Sequence, residues 1–171
     1  MAELARILEP PASRAAVRAL LLGNAREGLE ARFLADRLAA RRAIQILHVA
    51  RDVDRARELA ELVAWFQPGI EVLTLPAWDC LPYDRISPNP RIMAERLVTL
   101  ARLGEPTSAP RLLLTTVNAL VQRVPAPEVV RARHLRIEAG RRLDRDALTE
   151  WLERDGYRRT GTVVEPGEYA I

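Results

Sequence analysis

The chain has 171 residues, of which 49% are hydrophobic and 29% charged, and a formal net charge of +3. That balance describes a globular chain long enough to bury a core, and it excludes a disordered sequence or one built around a transmembrane helix. All 26 basic residues are arginine and the single cysteine is Cys80. Lysine Schiff-base chemistry, a P-loop lysine, an internal disulfide framework and Cys-rich zinc sites are therefore excluded.

The opening residues lack the basic-then-apolar pattern of a secretory signal, and a lone cysteine fits a reducing compartment, so a cytoplasmic location is expected. Residues 17–22 form a short apolar run ending at Gly23, which predicts a strand, and a helix is expected over about 28–40. A second apolar run at 44–49 predicts the next strand. Asp52 is a good N-cap for a helix whose stripe is Val53, Ala56, Leu59, Ala60, Val63 and Phe66. Pro68-Gly69 ends it, and 70–75 is the third strand. A Pro-rich loop over 76–90 leads into a helix expected to bury Ile92, Met93, Leu97, Leu100 and Leu103 and to stop at Gly104. Residues 112–115 predict a fourth strand and 117–124 a short helix. Apolar strands alternating with helices imply a parallel sheet covered by helices.

Pro125 and Pro127 mark a change of pattern. Beyond them 134–138 alternates as a strand, and Asp144 caps a helix with the stripe Ala147, Leu148, Trp151 and Leu152. Gly156 follows that helix, and 157–165 and 168–171 read as two strands joined by Pro166-Gly167. Two units are expected, 1–125 as an α/β domain and 126–171 as the start of a small α+β domain. The sequence stops within the last predicted strand, which reads as a piece of a longer protein.

Three stretches carry candidate chemistry. Gly23 and Gly28 have the spacing of a Walker A loop, G-x-x-x-x-G-K-[ST], between a predicted strand and helix. Leu29 stands at the lysine position and Glu30 at the hydroxyl position. A carboxylate about 4 Å from a phosphate oxygen is repelled by about 4 kcal/mol at an effective dielectric of about 20. The stretch reads either as a degenerate nucleotide loop or as an ordinary strand-to-helix turn, and ATP hydrolysis is expected from neither. The second stretch, LPAWDCLPYDRISPNP over 75–90, holds Trp78, Asp79, Pro82 and Tyr83 in a stiff loop. Asp79 and Asp84 are either an acid/base pair or parts of a structural or docking loop, and Cys80 reads as a small buried hydrophobe. His48 and His134 are isolated, so no metal constellation is predicted. In the third stretch, Arg158, Arg159 and Tyr169 are interface-prone types on neighbouring predicted strands, to be weighed against an exposed strand with solvated arginines.

Taken together, LPAWDCLPYD, SPNPRIMAERLVTLARL, VNALVQRV, RRLDRDALTEWLERDGYRR and VVEPGEYAI resemble, in order, the N-terminal region of the bacterial transcription-repair coupling factors, the Mfd family. That region is similar to the excision-repair protein UvrB. The resemblance implies a P-loop-like parallel-sheet domain like UvrB domain 1a, with a degenerate nucleotide loop, followed by part of a domain like UvrB domain 2, which binds UvrA. It implies no catalysis and no cofactor in this fragment, ATP and magnesium belonging to a translocase elsewhere in the parent. UvrA is the implied partner, with RNA polymerase and double-stranded DNA as partners of the full-length protein and no membrane. Arg158 and Arg159 would contribute to the UvrA surface, with Tyr169 where UvrB-like proteins carry a Phe. The long aromatic hairpin of UvrB has no counterpart before Pro90, so lesion reading is not expected. The alternatives are a nucleotide-binding helicase or ATPase fragment, which the missing lysine opposes, and a weak non-specific DNA-binding module.

Overall fold

A computed structural model describes residues 5–8, 19–22, 26–40, 45–81 and 87–171. In chain order the elements are β1 (Ala5–Leu8), β2 (Ala19–Leu22), α1 (Glu27–Ala39), β3 (Gln45–Ala50), α2 (Val53–Phe66), β4 (Glu71–Leu75) and α3 (Pro90–Gly104). They continue with β5 (Arg111–Thr116), α4 (Val117–Leu120), α5 (Pro127–Ala132), α6 (Arg145–Arg154), β6 (Arg158–Arg159) and β7 (Glu168–Tyr169).

The centre is a three-stranded parallel sheet in the order β3-β5-β4, an α/β arrangement. Ile46 stands opposite Leu112, and Val72 opposite the same residue from the other side. β5 is buried at every position except the half-buried Leu113, because it has a strand on each side. α1 and α2 cover one face. Ala31, Leu34, Ala35 and Leu38 of α1 and Ala56, Leu59 and Val63 of α2 form one core with Ala50, Ile70, Leu112 and Leu114. The i, i+3, i+4, i+7 spacing of those helical residues brings them onto a single stripe. Asp52 caps α2 as its sequence position predicts, accepting a hydrogen bond from the Arg55 amide at 2.8 Å.

Several sequence expectations change. The run at 19–22 does not open the parallel sheet; it pairs antiparallel with β1, with Ala19 opposite Leu8. Its predicted first two residues, 17 and 18, lie outside the described residues. The expected apolar face of α3 is buried only in part, with Ile92, Leu100 and Leu103 half-buried. Met93 and Leu97 are 41% and 48% exposed, whereas Arg96, Thr99 and Ala101 are buried. The reason is polar: α3 runs antiparallel beside β4 and serves it at three levels. Arg96 donates to the Pro76 carbonyl, the Thr99 hydroxyl to the Thr74 carbonyl at 2.6 Å, and Arg102 to Glu71. Residues three apart on a helix fall on one side, so these partners set the helix's rotation.

The expected strand at 134–138 forms no ladder among the described residues. Leu135 and Ile137 are exposed there, and Arg136 reaches instead to Glu105 and Glu138. The expected long strand at 157–165 is reduced to the two residues of β6. They pair in parallel with β7, Arg158 opposite Glu168 and Arg159 opposite Tyr169. The turn residues Gly161 and Thr162 break the run after it. The predicted helix at 117–124 is one turn, α4, and α5 follows the prolines and lies against α3. α6 has its Asp144 cap as expected. It ends at Gly156, whose φ of +88° suits glycine, while the Tyr157 amide donates back to the Leu152 carbonyl at 2.9 Å.

Candidate functional site

At the start of α1, an open cleft of about 490 Å³ is lined by Arg26, Glu30, His48, Val49, Ala50, Arg51 and Arg55. Three elements build it. α1 contributes Glu30 from its first turn, where the helix dipole favours an anion. β3 contributes His48 at its C-terminal end. α2 contributes Arg55 from its first turn, fixed by the Asp52 cap.

Glu30 points into this cleft and not into solvent. One carboxylate oxygen accepts a hydrogen bond from Arg55 Nη2. The other lies 3.4 Å from His48 Nε2. The Arg55 guanidinium is half-buried and shared: its Nη1 donates to Glu58 at 2.9 Å. Hydrogen bonding to Glu30 raises the Arg55 pKa above its ordinary value, so its charge is permanent. Burial pushes the His48 imidazole below its ordinary value, against the opposing pull of Glu30. At neutral pH the imidazole is therefore uncharged, and the Glu30–Arg55 pair carries the electrostatics of the cleft.

The other loop residues contribute less. Leu29 is 56% exposed. Gly28 lies within α1, and a Cβ there would meet nothing within 4 Å, so no local packing demands glycine. Gly23 lies outside the described residues. Among the described residues no group of three or more His, Cys, Asp or Glu could hold a metal ion, and no helix is long and apolar enough to cross a membrane.

In the Pro-rich loop, Trp78 and Asp79 are both engaged within the chain. The Trp78 amide donates to Gln122 at 2.9 Å, and its ring lies 4.4 Å under the Arg96 guanidinium. Both Asp79 carboxylate oxygens accept from the Asn89 amide, and the Asn89 side chain caps α3 through the Arg91 amide. These contacts join the loop to the start of α3 and to the turn after α4. Cys80 is half-buried, not buried as the sequence reading expected. Pro82, Tyr83 and Asp84 lie outside the described residues.

The C-terminal candidates divide. Arg158 and Arg159 are exposed, and Arg158 is ion-paired with Glu168. Glu168 also accepts the Val164 and Glu165 amides. These backbone hydrogen bonds, with Arg158, lower its pKa to about 2. Tyr169 is buried at 7% exposure. Its hydroxyl donates to Glu153 of α6 at 2.7 Å, which holds the phenol above its ordinary pKa. Of the three candidates Tyr169 is therefore turned inward, where Arg158 and Arg159 are turned out. Sequence reasoning missed Arg55, Arg96, Glu153 and Glu168. Each finds its partner through tertiary or turn geometry, and no local motif announces it.

The fold and cleft define a small α/β protein in which the cleft at the start of α1 holds the chain's own Glu30 carboxylate. No family model matches the chain. It is 38% identical over 133 residues to the transcription-repair-coupling factor of Escherichia coli (strain K12), a stretch that covers 78% of this chain and 11% of that protein. It is 37% identical over 129 residues to that of Myxococcus xanthus, covering 72% of this chain and 11% of the relative. With that of Haemophilus influenzae it shares 30% identity over 151 residues, 88% of this chain and 13% of the relative. The chain belongs to the transcription-repair-coupling factor family, and its matches span about a tenth of the length of these curated relatives.

Proposed function

We propose that this chain is a non-catalytic docking module from the N-terminal, UvrB-like part of a bacterial cytoplasmic transcription-repair coupling factor. Its partner is UvrA, recruited to RNA polymerase stalled at a lesion, and the parent protein moves on double-stranded DNA by ATP hydrolysis in other domains. The observation that carries this reading is the exposed pair Arg158 and Arg159 on β6, the first of them oriented by Glu168. Oriented guanidinium groups at a surface are suited to charge-assisted contacts with a partner's carboxylates.

Titration calorimetry against purified UvrA tests the docking role. Wild type binds, and Arg158→Ala/Arg159→Ala binds at least tenfold more weakly with an unchanged circular dichroism spectrum. Equal binding by the double variant removes the role from β6. Tyr169 is left intact in this experiment because its buried ring supports the fold.

The cleft at Glu30 is read as closed to nucleotides. Its single hydroxyl-position residue is a carboxylate already paired with Arg55, and the chain has no lysine to hold phosphate. MgATP therefore leaves the melting temperature of the 171-residue chain unchanged, whereas a working site raises it by mass action. A DNA-binding role has little support. From 126 onward nine arginines are matched by nine Asp and Glu, and most of them form ion pairs with one another. A steep salt dependence of DNA affinity would reverse that view.

A further inference from the structure

We infer that Glu30 is the built-in occupant of an oxyanion site, and that its carboxylate does in this cleft what a bound phosphate group would otherwise do. The inference rests on reading the cleft as closed to nucleotides and goes further, by naming the group that closes it and the ligand class the rest of the site would take.

Three observations support it. First, the contacts of Glu30 are those of a bound anion. It receives one edge of a guanidinium, Arg55 Nη2, and sits beside an imidazole nitrogen, His48 Nε2. The donor Arg55 and the neighbouring His48 come from two other elements, so the carboxylate stands between α1, β3 and α2 as a ligand would. Second, the surroundings are built for an anion. Arg26 and Arg51 line the same cleft, Arg51 with its guanidinium on Asp52, and Arg55 keeps its backbone bond to the Asp52 cap and its side-chain bond to Glu58 whether or not Glu30 is present. Third, Glu30 is 29% exposed at its side chain and the cleft is open, so removing the carboxylate exposes Arg55 to solvent anions without rebuilding a core. A tetrahedral oxyanion offers Arg55 and His48 the same kind of oxygen, and Arg favours such groups through its planar fork.

The test uses inorganic phosphate as the probe, with chloride at matched ionic strength as the control. The chains are the 171-residue wild type, Glu30→Ala, the near-isosteric Glu30→Gln, and Glu30→Ala/Arg55→Ala. Wild type shows no phosphate-specific change in melting temperature. Glu30→Ala melts lower than wild type and recovers saturably by about 2–4 °C once phosphate is several-fold above its Kd. The response is lost when Arg55 is also removed.

A phosphate response in wild type equal to that of Glu30→Ala overturns the inference, as does a response that survives loss of Arg55. If Glu30→Ala does not fold, Glu30→Gln carries the test, since it removes the charge and keeps the bulk. A folded, phosphate-blind Glu30→Gln then overturns the inference as well. The wild-type MgATP measurement separates the two levels. A nucleotide shift in wild type defeats the closed-cleft reading itself, while silent wild type with silent Glu30 variants defeats only the internal-anion inference.

Discussion

Glu168 accepts three hydrogen bonds on a single carboxylate: Arg158 and the amides of Val164 and Glu165. It thereby ties β6, the 160–167 turn and β7 together. Its pKa falls from the ordinary 4.5 to about 2, so the folded state holds the ionised form more firmly than the unfolded chain does. The sign follows from linkage: the contribution is fully present above pH 4.5 and is lost as pH falls toward 2. Amide exchange at Val164 and Glu165 is expected to accelerate across that window in wild type. In Glu168→Gln it should be fast already at neutral pH and show no such acid step; an unchanged acid step in the variant removes Glu168 from this role. None of this was legible in the sequence. Arg158 was singled out as an interface type, but its partner lies across a parallel two-residue ladder that no alternation pattern encodes. Tyr169 shows the same limit. Its residue type made it an interface candidate, and the hydrogen bond to Glu153 turns it inward.

α3 shows where hydrophobic periodicity stops being a guide at the level of the element. Its boundaries were readable, because Pro90 at the first turn and the Asn89 cap are local signals. Its rotation was not. A stripe through Met93 and Leu97 looked like the buried face, yet the helix buries Arg96 and Thr99, whose polar groups reach β4 and the residues around it. Rotating the apolar side inward would strand those groups, at a cost of about 1–3 kcal/mol for each unsatisfied one. Opposite effects are therefore expected on the two faces in urea unfolding. Arg96→Ala removes the stacking on Trp78, the hydrogen bonds to Pro76 and Gln122, and a buried side chain, and it destabilises by about 2–4 kcal/mol. Leu97→Ser, on the exposed face, changes stability by no more than about 0.5 kcal/mol. The reverse ranking would restore the apolar face as the buried one. β3, α2, β4 and β5 were legible because their signals are local: branched apolar runs for the strands, and a cap with a 3.6-residue stripe for the helix. The Glu30 cleft was half legible. The glycine spacing drew attention to the right turn, but Arg55, 25 residues away, could not be assigned to it without the fold.

Across the whole molecule, burial is distributed unevenly, and this sets the order in which parts open. Among the described residues the apolar core lies between Ala31 and Ala119, around the central strand β5, whereas from Pro127 onward Tyr169 is the only buried side chain. The C-terminal segment rests instead on exposed ion pairs, each contributing at most about 1 kcal/mol, and on the Glu168 and Tyr169 hydrogen bonds. Segments with few buried apolar contacts open locally at lower free energy than the core. Native-state hydrogen exchange should therefore show the amides of Tyr157 and Thr160, bonded to Leu152 and Tyr169, exchanging through local opening well before those of β5. Leu112→Ala provides the separating perturbation. Leu112 is fully buried between β3 and β4, so truncating it lowers global stability by about 2–5 kcal/mol and speeds exchange throughout β5. If the C-terminal segment opens independently, the Tyr157 and Thr160 rates stay at their wild-type values in that variant. A common acceleration of both regions would mean that the two unfold as one cooperative unit. Arg158 and Arg159 would then owe their placement to the parallel sheet as much as to Glu168.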